Sequence, residues 1–139
     1  MCPIYNDIRV FTPIPAMETF LSQLYVWNKL FPADIVKDTR FLLDITWGED
    51  MYFCFQTFQK VDKVIYGSED KYVYFMNLQS ATKQAFNIKK LTYFKISDMM
   101  LDYLKENNIT SLYKKVLSLD PSNSIAKAEI TSVMQSAMS

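Results

Sequence analysis

Six carboxylates crowd the middle of this chain: Asp44, Glu49, Asp50, Asp62, Glu69 and Asp70, with Lys71 beside the last pair. Paired carboxylates with a lysine can hold Mg²⁺ and orient a water for hydrolysis. That is the main polar chemistry the residue types offer, because the 139 residues contain no histidine. Histidine is the usual general base near neutral pH and the commonest metal ligand. Its absence excludes a Ser-His-Asp triad, a Cys-His pair and a histidine zinc site. Gly48 and Gly67 are the only glycines and lie too far apart to build a phosphate-binding loop.

Asp44 followed by Glu69, Asp70 and Lys71 resembles the Asp…Glu-x-Lys order of metal-dependent nucleases, which implies a Mg²⁺-dependent nuclease as one alternative. In that family the Glu-x-Lys sits within a strand; here it falls in a turn, where acidic side chains are expected for local hydrogen bonding alone. The residues are therefore read as turn formers, with no catalytic residue, no metal ligand and no cofactor.

The segment Val73 to Leu78 is similar to the short strand signature of RNA-recognition motifs, whose aromatic side chains stack on bases. The resemblance implies a second alternative, a single-stranded nucleic-acid-binding sheet. The longer companion motif is missing and the net charge is zero (15 basic, 15 acidic), so no basic stripe favours nucleic acid. Tyr113 to Asn123 resembles the end of a tetratricopeptide repeat, with its turn at Asp120 and Pro121. The earlier Trp-Leu-Gly-Tyr pattern and any second copy are absent, and stacked repeats need neighbours. A plain helix–turn–helix explains these residues.

The elements that would position such groups follow from patterning. Residues 1–139 read as one globular domain. Pro3, Pro13 and Pro15 mark residues 1–15 as an extended arm with an edge strand at Asp7–Phe11. Met17, Phe20, Leu21, Leu24, Trp27 and Phe31 share one face at helical spacing and predict a helix over 16–31, stopped by Pro32. In such a helix Trp27 is core, and Trp27→Ala is expected to unfold the protein. From 40 to 78 the chain is rich in aromatic and β-branched residues, with turn formers at 48–50 and 67–70. Arg40–Trp47, Met51–Phe58, Val61–Tyr66 and Tyr72–Leu78 read as strands of an antiparallel meander, with Gln56 and Thr57 on a half-wet face. Ser80–Asn87 reads as a short helix and Leu91–Ile96 as a fifth strand. Residues 97–139 read as helical, with Ser97 and Asp98 as a cap, Asn107 and Asn108 as a stop, and a last helix over 124–139. The fold class expected is α+β: a meander of three to five strands packed against an N-terminal helix and C-terminal helices.

Half of the residues are hydrophobic, and 21 are aromatic (10 Phe, 9 Tyr, 2 Trp). With eight methionines, this surplus is the compositional signal of interface cores. Cys2 and Cys54 are too few for a disulfide framework and fit a reduced, cytoplasmic setting. No apolar run approaches the roughly 20 residues that span a bilayer. The function expected is non-enzymatic: a protein–protein interaction or accessory protein that binds a protein partner or itself, without nucleic acid or membrane. Abundant Lys, Ile, Asn, Tyr and Phe also match small accessory proteins of viruses and phages. The candidate partner-binding residues are Ile130, Val133 and Met134 on the last helix; if that helix proves to be core, the surface passes to the aromatic residues between Arg40 and Leu78.

Overall fold

The Met51–Phe58 run, for all its aromatic residues, is a helix. In the computed structural model, which describes residues 7–80 and 88–118, α3 spans Glu49–Phe58. Its buried residues Phe53, Cys54, Phe55, Thr57 and Phe58 recur at helical intervals. Gly48 precedes it at φ +88°, in the left-handed region, and Glu49 and Asp50 fill the first turn, where the helix dipole favours negative charge.

The remaining elements, in chain order, are β1 (Ile8–Phe11), α1 (Pro13–Phe20) with a 3-10 turn at Leu21–Gln23, α2 (Ala33–Val36), α3, β2 (Val64–Gly67), a 3-10 turn at Ile88–Leu91, α4 (Thr92–Glu106) and α5 (Thr110–Ser118). Among the described residues half are helical and 8% are strand. This overturns the expected three-to-five-strand meander: the described residues form five helices and a single two-stranded antiparallel ribbon. Aromatic and β-branched residues raise strand propensity, but that preference mostly reflects burial on a half-covered surface, and helical burial satisfies it equally.

The ribbon pairs Val10 with Ile65 and Phe11 with Val64. One face carries Phe11 and Tyr66, whose rings meet Phe20 of α1 at 5.4 and 5.0 Å between centroids. The other face leaves Ile8, Val10 and Ile65 exposed. Asp7 and Ser68 close the end: the Ser68 amide donates to the Asp7 carbonyl (3.0 Å) and the Asp7 amide to Ser68 Oγ (2.9 Å).

The N-terminal helix is shorter than its periodicity suggests. Pro13 and Pro15 sit in its first turn, where a missing N–H costs nothing. Beyond Gln23 the chain leaves helical geometry because α3 supplies other partners. The Val26 amide donates to Asp50 Oδ2 (3.3 Å), and the Cys54 thiol to the Tyr25 carbonyl (3.5 Å). Trp27 and Phe31 therefore lie outside the helix expected over 16–31.

The expected strands at Arg40–Trp47 and Leu91–Ile96 are also absent. The first is an irregular connection; the second begins α4, which continues through Ser97 and Asp98 instead of starting there. Ile96, Met100 and Leu104, four residues apart, are all fully buried along α4. The Asn107–Asn108 stop does occur: Asn108 adopts φ +57° and the Ile109 amide reaches the Leu104 carbonyl at 2.9 Å.

The chain divides into two compact units between Ile96 and Ser97, inside α4. In the first, α1 packs on α3, and Ala16, Met17, Leu21, Leu24, Ile45, Phe53, Cys54, Phe55, Phe58 and Ile96 are buried. In the second, Met100, Leu104 and Leu112 are buried.

Thr92, the first residue of α4, anchors the turn before α3. Its Oγ1 accepts the amides of Thr46 (3.1 Å) and Trp47 (2.8 Å) and donates to the Lys89 carbonyl (2.9 Å). Gly48 completes that turn, and a Cβ there would meet Tyr93 Cδ2 at 3.2 Å and Ile96 at 3.4 Å. Gly48→Ala is expected to lower stability by about 1–3 kcal/mol, from left-handed strain and crowding together. Denaturant melts check it; an unchanged midpoint would mean that the turn relaxes freely.

Candidate protein-binding surface

The carboxylates are not brought together. Asp44 pairs with Lys95 Nζ on the surface, and the lysine holds its carboxyl below the usual range. Glu69 pairs with Lys71 (2.8 Å). Asp50 is occupied by the Val26 amide, and Asp62 and Asp70 are exposed. Among the described residues no three of His, Cys, Asp and Glu lie close enough to share an ion.

Cys54 is the most deeply buried nucleophile. Burial pushes its thiol from 9.0 up to about 11, with Lys29 opposing the rise. At neutral pH the sulfur is a protonated thiol, which is neither a strong nucleophile nor a good metal ligand. Burial also lowers the Lys29 ammonium, which sits 4.2 Å from the Tyr25 ring centroid and donates to the Gln23 carbonyl (2.7 Å). The folded state thus holds the Cys54 proton more tightly than the unfolded chain. Its contribution to stability is complete below about pH 9 and is lost as pH rises through about 11. We expect Cys54→Ala to flatten the loss of stability between those pH values, read from melting midpoints. An unchanged alkaline slope would mean that Cys54 is not its source.

Thr57 and Gln56 do not form a wet face. Thr57 is buried and donates to the Cys54 carbonyl (2.9 Å), while Gln56 Oε1 is buried without a hydrogen-bond partner.

The most unusual surface is Tyr72–Leu78. It is neither a ladder strand nor a helix. Two of its rings are tethered. Tyr72 and Tyr74 stack on Trp27 at 5.2 and 4.9 Å, and Trp27 lies nearly parallel to Tyr25 at 3.7 Å. Tyr25 in turn is fixed by its carbonyl on Cys54 and its ring under Lys29. The intervening and following side chains project into solvent: Val73 is 72% exposed, Phe75 84%, Met76 68% and Leu78 87%. Among the described residues the backbone N–H groups of Tyr72–Met76 find no acceptor, so water satisfies them.

The Tyr72–Leu78 run was visible in the sequence as an aromatic strand. What sequence reasoning missed is that among the described residues no second strand pairs with it, and that Trp27 is its support. The candidate residues Ile130, Val133 and Met134 lie outside the described residues, as do 81–87 of the expected Ser80–Asn87 helix and the Asp120–Pro121 turn. No described helix is long and apolar enough to cross a membrane. No protein-family model, curated protein or solved structure matches the chain.

Proposed function

We propose that this protein is a non-enzymatic protein-interaction module of the cytoplasm and that Tyr72–Leu78 is its binding surface. The observation that carries the reading is the exposure of Val73, Phe75, Met76 and Leu78 within one uncharged stretch whose Tyr72 and Tyr74 rings are held on Trp27. A soluble monomer rarely leaves so concentrated an apolar patch to water unless a partner covers it. A segment outside any helix or ladder, whose amides have no acceptor among the described residues, suits partners that add a strand to it, main-chain bonds giving affinity and alternate side chains giving specificity. Buried, protonated Cys54 and dispersed carboxylates favour binding over catalysis.

Base stacking is less well supported. The Tyr72 and Tyr74 rings already stack on Trp27, and zero net charge supplies little counterion-release free energy. A photo-crosslinking residue at Phe75 tests the proposal. Protein adducts formed at position 75 but not at exposed Leu43 support it. Adducts to RNA or single-stranded DNA, or none at all, would count against it.

A further inference from the structure

We propose that the strand's occupant is a second copy of this chain, paired antiparallel about a two-fold axis near Tyr74. The inference rests on the reading of Tyr72–Leu78 as a binding surface and adds the partner and the geometry.

Charge is the first argument. A strand paired with its own copy brings like residues close together, so a charge near its centre would meet itself. Residues 72–82 carry none; the nearest are Lys71 and Lys83. A seven-residue, uncharged, proline-free and glycine-free segment that opens on three aromatic residues and a valine has the composition of strands that self-pair. A strand selected to fit a charged peptide would carry the complementary sign.

Register is the second. With Tyr74 opposite its symmetry mate, Val73 faces Phe75 of the other copy and Phe75 faces Val73. Those are aromatic–β-branched pairs, among the favourable cross-strand combinations. Lys71 falls opposite Asn77, so neither lysine meets a like charge. Because Tyr72 and Tyr74 are held on Trp27, Val73 and Phe75 alternate onto the opposite face. The contact is isologous and closes at two copies.

Area is the third. With the exposures they have in the structure, the six apolar and aromatic residues of the segment present on the order of 800 Å², the scale of one side of a standard interface.

Sedimentation equilibrium over a rising concentration series tests the proposal on the full chain. The expected result is a mass of twice 16.3 kDa for the native protein. Val73→Lys/Phe75→Lys should return it to monomer with unchanged circular dichroism and melting, since both side chains are exposed. A control, Val10→Lys/Ile65→Lys, charges the exposed face of the ribbon and should remain dimeric. A native protein that stays monomeric overturns the second copy as partner, as does a dimer insensitive to the Val73/Phe75 change or lost in the control. Assembly beyond two copies overturns the closed two-fold geometry. Failure here with heterologous adducts still forming at position 75 leaves the binding-surface reading standing; failure of both removes it.

Discussion

Phe55→Ala is expected to lower stability by about 3–5 kcal/mol, the range for removing a fully buried phenylalanine. Phe55 is 1% exposed, on the side of α3 turned toward the core, with the Tyr52 ring stacked at 6.3 Å. A domain of this size has roughly 5–15 kcal/mol in total, so the variant stands near the edge of folding. Its melting midpoint should fall by roughly 10–25 °C, while Leu43→Ala, at a fully exposed site, should leave the midpoint almost unchanged. The contrast discriminates between architectures. Were Glu49–Phe58 a strand, Phe53 and Phe55 would share a face opposite Cys54. The helix instead buries all three together with Phe58. A Phe55→Ala protein that melts within a degree or two of the native one would remove α3 from the core.

That segment also shows what was legible and what was not. Cys54 and Phe58 lie four apart, Phe55 and Phe58 three apart, and Glu49 and Asp50 follow a glycine; helix spacing and a helix start were both present. The density of Phe and Tyr outweighed them because strand propensity measures how well a side chain suits a half-buried surface, which a packed helix also provides. Leu91–Ile96 failed likewise: Ile96, Met100 and Leu104 form a stripe that becomes visible only when the window extends past Ser97. The arm is the opposite case. The prolines of residues 1–15 indicated an extended arm with an edge strand at Asp7–Phe11, and β1 occupies Ile8–Phe11. Its pairing with Val64–Gly67, more than fifty residues on, depended on tertiary packing against Phe20 that no local pattern encodes.

The interruption of the first helix has the same origin. Periodicity from Met17 to Phe31 is real, but Asp50 and Cys54 take the amide and carbonyl of Val26 and Tyr25 from 24 and 29 residues away. A side chain that offers a backbone group a partner can end a helix without proline or glycine. The candidate surface was half legible for that reason: Tyr72, Tyr74 and Phe75 stood out as an aromatic run, whereas Trp27 looked like helix core.

Trp27 is consequently expected to behave differently from a core tryptophan. It is half-buried and stacked on three tyrosines, so Trp27→Ala removes three ring contacts without opening the cavity that Phe55→Ala would. Aromatic pairs contribute about 0.5–1.5 kcal/mol each beyond burial, and these three share one ring and will not add fully. The expected result is a cooperative melt at a lower midpoint rather than an unfolded chain. The larger effect is local. With Trp27 gone, nothing described holds Tyr72 and Tyr74, and the strand samples many conformations before it can bind. Ordering it again at each encounter weakens association even though Val73 and Phe75 are intact. Chymotrypsin cleavage within Tyr72–Met76 should rise roughly tenfold, the scale set by losing about 1.4 kcal/mol of stacking. Trp27→Phe should recover most of the protection, because a smaller ring still offers both faces. Cleavage that does not change in Trp27→Ala would show that the strand is extended for another reason, and an unfolded Trp27→Ala protein would return Trp27 to the core.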